Sequence, residues 1–153
     1  MAVTDWPLDW AICLIINILL IYIPHLFVRV PAVHAKLAAD FKKQGKGMKG
    51  YSLALPRLAQ AAAADESPEG RAISRLNGHH QNSIEIFPLI AAACLAAAAR
   101  GVSAHTINVW ATAFTASRLV YTAAYLGGLS SVRPLVWTVG LVIATYLLVL
   151  AAL

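Results

Sequence analysis

The last nineteen residues, LVWTVGLVIATYLLVLAAL (Leu135 to Leu153), contain no Asp, Glu, Lys or Arg. A bilayer hydrocarbon core of about 30 Å needs roughly 20 apolar residues in a helix, so this run reads as a membrane span. Working back along the chain, the same reading applies three more times. Spans are expected at about residues 10–28, 79–99, 103–126 and 134–153, with Glu85 the acidic intruder in the second and Arg118 the basic one in the third. Nothing alternates with period two, and the alanine-rich run from Ile90 to Ala99 favours helix over strand. The expected fold is an all-α integral membrane bundle of four transmembrane helices in a single domain, residues 1–153.

The breaks between spans carry their own signals. Arg100-Gly101 ends the second span, and Ser103 is placed to cap the third. Gly127-Gly128 ends the third, and Pro134 suits the first turn of the fourth. Pro24 followed by His25 predicts a kink and a buried hydrogen bond in the first span. The tryptophans, Trp6, Trp10, Trp110 and Trp137, read as interfacial or packing residues.

Charge is as uneven as hydropathy. Of twelve Lys and Arg residues, nine (Arg29, Lys36, Lys42, Lys43, Lys46, Lys49, Arg57, Arg71 and Arg75) lie between the first two spans. The net charge of +5 therefore belongs mainly to a connection of about residues 29–74. That pattern excludes a nucleic-acid binder, whose charge would cover a soluble face, and points to a membrane surface. Within the connection, Lys42 to Lys49 reads as a flexible basic stretch, Tyr51 to Ala64 as a surface-lying helix, and Asp65 to Gly70 as a polar turn. The positive-inside rule makes this loop cytoplasmic and puts both termini on the opposite side. No basic leader or small-residue cleavage site marks a signal peptide, so the first span is expected to remain. Cys13 and Cys94, both inside apolar runs, read as small buried hydrophobes.

With that orientation, two polar stripes fall at one membrane depth. Arg75, His79, Asn82 and Glu85 recur at helical spacing into the second span; Arg118, Tyr121 and Tyr125 do so towards the end of the third, with Arg133 beyond it. An ionisable residue inside a span costs about 2.5–3.5 kcal/mol on insertion scales, so Glu85 and Arg118 require partners or a wet cavity. They serve either as glue between helices or as a pocket for an anionic ligand with several hydrogen-bonding groups, whose carboxylates arginine clamps bidentately. A metal site is not expected: His79 and His80 are adjacent and diverge by about 100° on a helix. No phosphate loop, nucleophile elbow or activated cysteine is present in the sequence.

The segment RLNGHHQNSIEIFP (Arg75 to Pro88), the segment SRLVYTAAYLG (Ser117 to Gly127) and Arg133 resemble the MAPEG family, membrane-associated proteins of eicosanoid and glutathione metabolism. The resemblance implies a homotrimer of four-helix subunits with glutathione bound between protomers near the cytoplasmic face. It implies that Asn82, Glu85, Arg118, Tyr121 and Tyr125 contact glutathione, with Arg75 as a further contact and Arg133 as the catalytic cation near the thiol. The activity implied is glutathione transfer or glutathione-dependent peroxide reduction, on small apolar electrophiles or lipid substrates drawn from the membrane. For a bacterial-type member the location is the inner membrane. A non-catalytic lipid- or ligand-binding membrane protein of the same fold is the alternative, favoured by Gly78 where glutathione-using members carry an arginine.

Overall fold

A computed structural model describes residues 7–45, 64 and 66–153. It is built from α1 (Trp10–Pro24), a π-helical turn (His25–Arg29), α2 (Val30–Lys43), α3 (Pro68–Ala99), α4 (Ala104–Leu126) and α5 (Val132–Ala152). No strand occurs among the described residues. Three helical stretches, Trp10–Lys43, Pro68–Ala99 and Val132–Ala152, are long and apolar enough to cross a membrane. The fourth, α4, has 23 residues, about 35 Å at 1.5 Å per residue, but a less apolar composition. Its polar side chains have partners inside the bundle: Thr112, Thr115, Ser117, Arg118, Tyr121 and Thr122 are all buried. The chain is an all-helical integral membrane protein.

Contacts divide the chain into two compact units, residues 1–21 with 82–153, and residues 22–81. In the first unit, each helix turns one narrow face inward. Ile86, Ile90, Ala93 and Ala97 form that face on α3, Ile107, Ala111 and Phe114 on α4, and Ala144, Leu147 and Ala151 on α5, with Cys13 from α1 and Cys94 completing the core. The many alanines bring helix backbones close, which suits a bundle whose outer surface faces lipid. Leu95, Leu119 and Val142, on the opposite faces, are more than half exposed. The free cysteines are both buried, as their apolar setting predicted.

The helix ends follow the local sequence. Gly101 and Gly128 adopt positive φ (79° and 71°), where a side chain would be strained. The amides of Val102 and Leu129 then reach back to Ala97 O (3.0 Å) and Ala124 O (2.9 Å), closing both helices. Ser103 Oγ accepts the Thr106 amide at 3.2 Å and caps α4.

In the second unit, Val33, Leu37, Phe41 and Ile73 form a small core. Pro24 contributes no amide to the helix, and the register relaxes into the π turn immediately after it. There Arg29 Nη1 lies 3.4 Å from His25 Nε2, and His25 stacks on His80 with centroids 3.8 Å apart. The expected loop at 29–74 is narrower than its charge suggested. Helix continues through Lys43, because Val33, Leu37 and Phe41 recur every four residues and can be buried. A further helix starts at Pro68, where Ser67 Oγ accepts the Gly70 amide (3.1 Å) and Pro68 takes the first helical position. The expected turn at Asp65 to Gly70 is thus a helix start from Pro68 onward. The basic stretch from Lys46, and the surface helix expected at Tyr51 to Ala64, lie outside the described residues apart from Ala64.

Candidate functional site

Asn82 on α3 faces two tyrosines one turn apart on α4. Its Nδ2 donates to Tyr121 Oη at 3.0 Å and to Tyr125 Oη at 3.1 Å. The two rings lean together with centroids 4.9 Å apart. Tyr121 is fully buried and Tyr125 half-buried, so one phenol is structural support and the other is reachable. The turn at Gly127-Gly128 then reverses the chain and starts α5 at Val132, which puts Arg133 in its first turn. The Arg133 guanidinium sits 4.6 Å from the Tyr125 ring centroid, within cation–π range. Its Nε is buried and has no hydrogen-bond partner among the described residues.

These four side chains line a cavity of about 550 Å³, completed by Ser130, Pro134, Trp137 and Thr138. The volume falls in the usual range for small-molecule pockets. Its polar groups are an amide, two phenols, a guanidinium and small hydroxyls, with the Trp137 ring as an apolar wall. No carboxylate lines it. Such a set accepts a ligand that brings negative charge and several hydrogen-bonding groups.

The other sequence-derived candidates lie elsewhere. Glu85, one turn beyond Asn82 on α3, is exposed on the surface of the single chain. Arg75 is half-buried and belongs to the second unit. Arg118 is 4% exposed and does not line the large cavity. Its Nη2 donates to the Val136 carbonyl on α5 at 2.9 Å, and its Nε reaches Ser117 Oγ at 3.5 Å. Its Cζ lies 4.6 Å from the Tyr121 centroid and 5.4 Å from that of Phe114. Gly140 makes this possible: a Cβ there would stand 2.5 Å from Arg118 Nη2 and 3.0 Å from Cζ.

A polar seam joining α1 to α4 was not read from the sequence. Trp10 N donates to Asn108 Oδ1 (2.9 Å), Cys13 Sγ lies 3.7 Å from Thr112 Oγ1, and Asn17 Nδ2 donates to Thr115 Oγ1 (2.8 Å). Contacts that climb both helices in the same order mean that α1 and α4 run parallel. The signal available was Asn17 itself, the one amide in the first apolar run that stands a helical repeat from Cys13. Trp137 and Thr138 were likewise passed over as cavity walls, since nothing local distinguishes them from lipid-facing neighbours.

Against known proteins, no curated protein and no solved structure gives a match. The family model of the MAPEG family, by contrast, matches residues 10–153, from the first residue of α1 to the end of the chain. That stretch includes the apolar helices, the Asn82 and tyrosine constellation and Arg133. A match over nearly the whole length, on a chain with this helical architecture, means that the protein belongs to the MAPEG family.

Proposed function

We propose that the protein is a membrane-bound glutathione transferase, or a glutathione-dependent peroxidase, acting on apolar electrophiles that arrive through the bilayer. The observation that carries this reading is Arg133, a cation with an unpartnered buried Nε, held over Tyr125 at the edge of a 550 Å³ cavity. A free thiol has a pKa near 8.5 and is mostly protonated at neutral pH; a fixed cation beside it favours the thiolate, which is the nucleophile. In the transfer reaction the thiol proton leaves to solvent, the sulfur forms a bond to the electrophilic carbon, and the leaving group departs with its electron pair. Asn82 and Tyr125 supply hydrogen bonds that orient the tripeptide, and Trp137 gives the electrophile an apolar surface.

Glutathione is charged at both ends, and among the described residues Arg133 is the one cation in the cavity wall. The remaining clamps come from Glu85 and Arg75 in the family's manner of sharing a site between protomers of a homotrimer, while Arg118, committed to Val136 O, backs the Tyr121 ring instead of reaching the ligand. Glu85 is exposed on the single chain, so it is within reach of a neighbouring protomer. The basic connection, on the positive-inside rule, puts this end of the bundle at the cytoplasmic face, where glutathione is abundant.

One observation favours a second reading, a lipid-binding protein without catalysis. Gly78 stands where glutathione-using members carry an arginine, which removes one clamp. Turnover separates the two. With a chlorodinitrobenzene as electrophile, Arg133→Ala is expected to lower turnover tenfold or more, about 1.4 kcal/mol of transition-state stabilisation, with a much smaller change in glutathione affinity. Wild-type protein that binds the tripeptide but turns over no electrophile, or a variant as fast as wild type, would overturn the enzyme reading.

A further inference from the structure

Apart from the large cavity there is a much smaller one of about 10 Å³, bounded by Asn17, Ser83, Arg118 and Thr122 with apolar neighbours such as Ile86 and Phe114. All four polar residues are more than nine-tenths buried. The place is the next helical turn of the seam between α1 and α4. Along that seam the Trp10 amide and the Cys13 and Asn17 side chains meet the side chains of residues 108, 112 and 115 directly, and the small cavity opens beside the last of these contacts.

The hydrogen-bond inventory around this cavity is uneven in a specific way. Arg118 uses Nη2 on Val136 O and Nε on Ser117 Oγ, while its Nη1 is buried with no partner among the described residues. Among the described residues no carboxylate lines the cavity with it. Across the cavity, the orientation of the Asn17 amide is fixed by its other contacts. Nδ2 donates to Cys13 O at 2.8 Å, and also to Thr115 Oγ1, whose own proton is committed to Ala111 O at 2.9 Å. Neither contact works with the amide reversed. Asn17 Oδ1 is therefore an acceptor with no donor of its own among these contacts. Arg118, with a donor to spare, and Asn17, with an acceptor to spare, both line a space the size of one solvent molecule.

We propose that this cavity is a binding site for a single structural water, which accepts from Arg118 Nη1 and donates to Asn17 Oδ1, with Ser83 and Thr122 as its other polar neighbours. The mixed walls select water over a monatomic anion such as chloride. An anion would satisfy Nη1 but be repelled by the Asn17 carbonyl oxygen, and it is larger than the roughly one-water volume. The water completes the bonding of a guanidinium that would otherwise leave a charged donor dry in the membrane interior. It also stands behind the active region. Arg118 lies over the Tyr121 ring, and Tyr121 shares Asn82 with Tyr125, so a guanidinium anchored on three sides fixes the floor of the large cavity.

The test uses the full-length protein in mild detergent or lipid. A structure resolving ordered solvent should show one peak within hydrogen-bonding distance of both Arg118 Nη1 and Asn17, and the same crystals soaked in bromide should show no anomalous signal there. A bromide peak would make it an anion site, and no peak at all would make it a dry void; either overturns the proposal. Stability gives a second readout with an opposite sign for the two cases. Ser83→Thr adds a methyl group to the cavity, so it should expel the water and lower the melting temperature further than Ser83→Ala does. A rise or no change with Ser83→Thr would mean that the methyl fills unoccupied space, and the water would be refuted.

Discussion

Gly140→Ala tests the packing that holds Arg118, and its cost follows from the geometry. The new Cβ would stand 2.5 Å from Arg118 Nη2, a separation that real carbon atoms do not sustain. An arginine tip normally moves aside at little cost, but this one is 4% exposed, bonded to Val136 O and set against two aromatic rings. Displacement forfeits a hydrogen bond from a charged group, about 1.5–3 kcal/mol, and part of the cation–π attraction, about 0.5–2 kcal/mol. Alanine returns about 1 kcal/mol through its higher helix propensity. The net expectation is a loss of about 2 kcal/mol. In an Arg118→Leu background the obstruction is gone, and the same Gly140→Ala change should be neutral or stabilising by up to about 1 kcal/mol. Denaturation of the four single, double and parent proteins in mild detergent, followed by tryptophan fluorescence, measures both steps. A Gly140→Ala protein as stable as its parent, with Arg118 present, would refute the packing argument.

Glu85→Gln should weaken glutathione binding while the oligomer survives in mild detergent, as size-exclusion chromatography with light scattering would report; dissociation or failed insertion would make Glu85 a bundle-stabilising residue instead. A single cysteine at position 46, in a protein lacking Cys13 and Cys94, should react with an impermeant maleimide only after cells are opened; labelling of intact cells would invert the orientation proposed for the site. Asn82→Leu should remove the donor that ties Tyr121 to Tyr125, lowering glutathione affinity at least tenfold in a calorimetric titration, whereas unchanged affinity would take the tyrosine pair out of the binding site.

The spans were legible because charge is so scarce in them. A run such as Leu135 to Leu153 leaves no other reading, and the glycine and serine signals at residues 101, 103 and 128 act through local backbone geometry alone. The extent of the first helical stretch was less legible, because α2 is helical by amphipathic packing of Val33, Leu37 and Phe41 while its lysines resemble a loop. Asn82 and the tyrosines meet as their spacing implied. Arg118 has the same spacing, yet it turns to α5, because a glycine at position 140 opens a recess there. Whether an arginine on a stripe faces a ligand or a neighbouring helix depends on the partner helix, and no single-helix periodicity contains that information.

The most direct test is the ultraviolet absorbance of bound glutathione thiolate, followed against pH in wild-type protein and in Arg133→Ala. With Arg133 at the cavity edge, wild-type protein should form thiolate near neutral pH, below the ordinary thiol range around 8.5, and the variant should need a higher pH. Glutathione that binds to wild-type protein yet stays protonated through neutral pH, or titrates identically in both proteins, would contradict the assignment of Arg133 as the thiolate-stabilising cation.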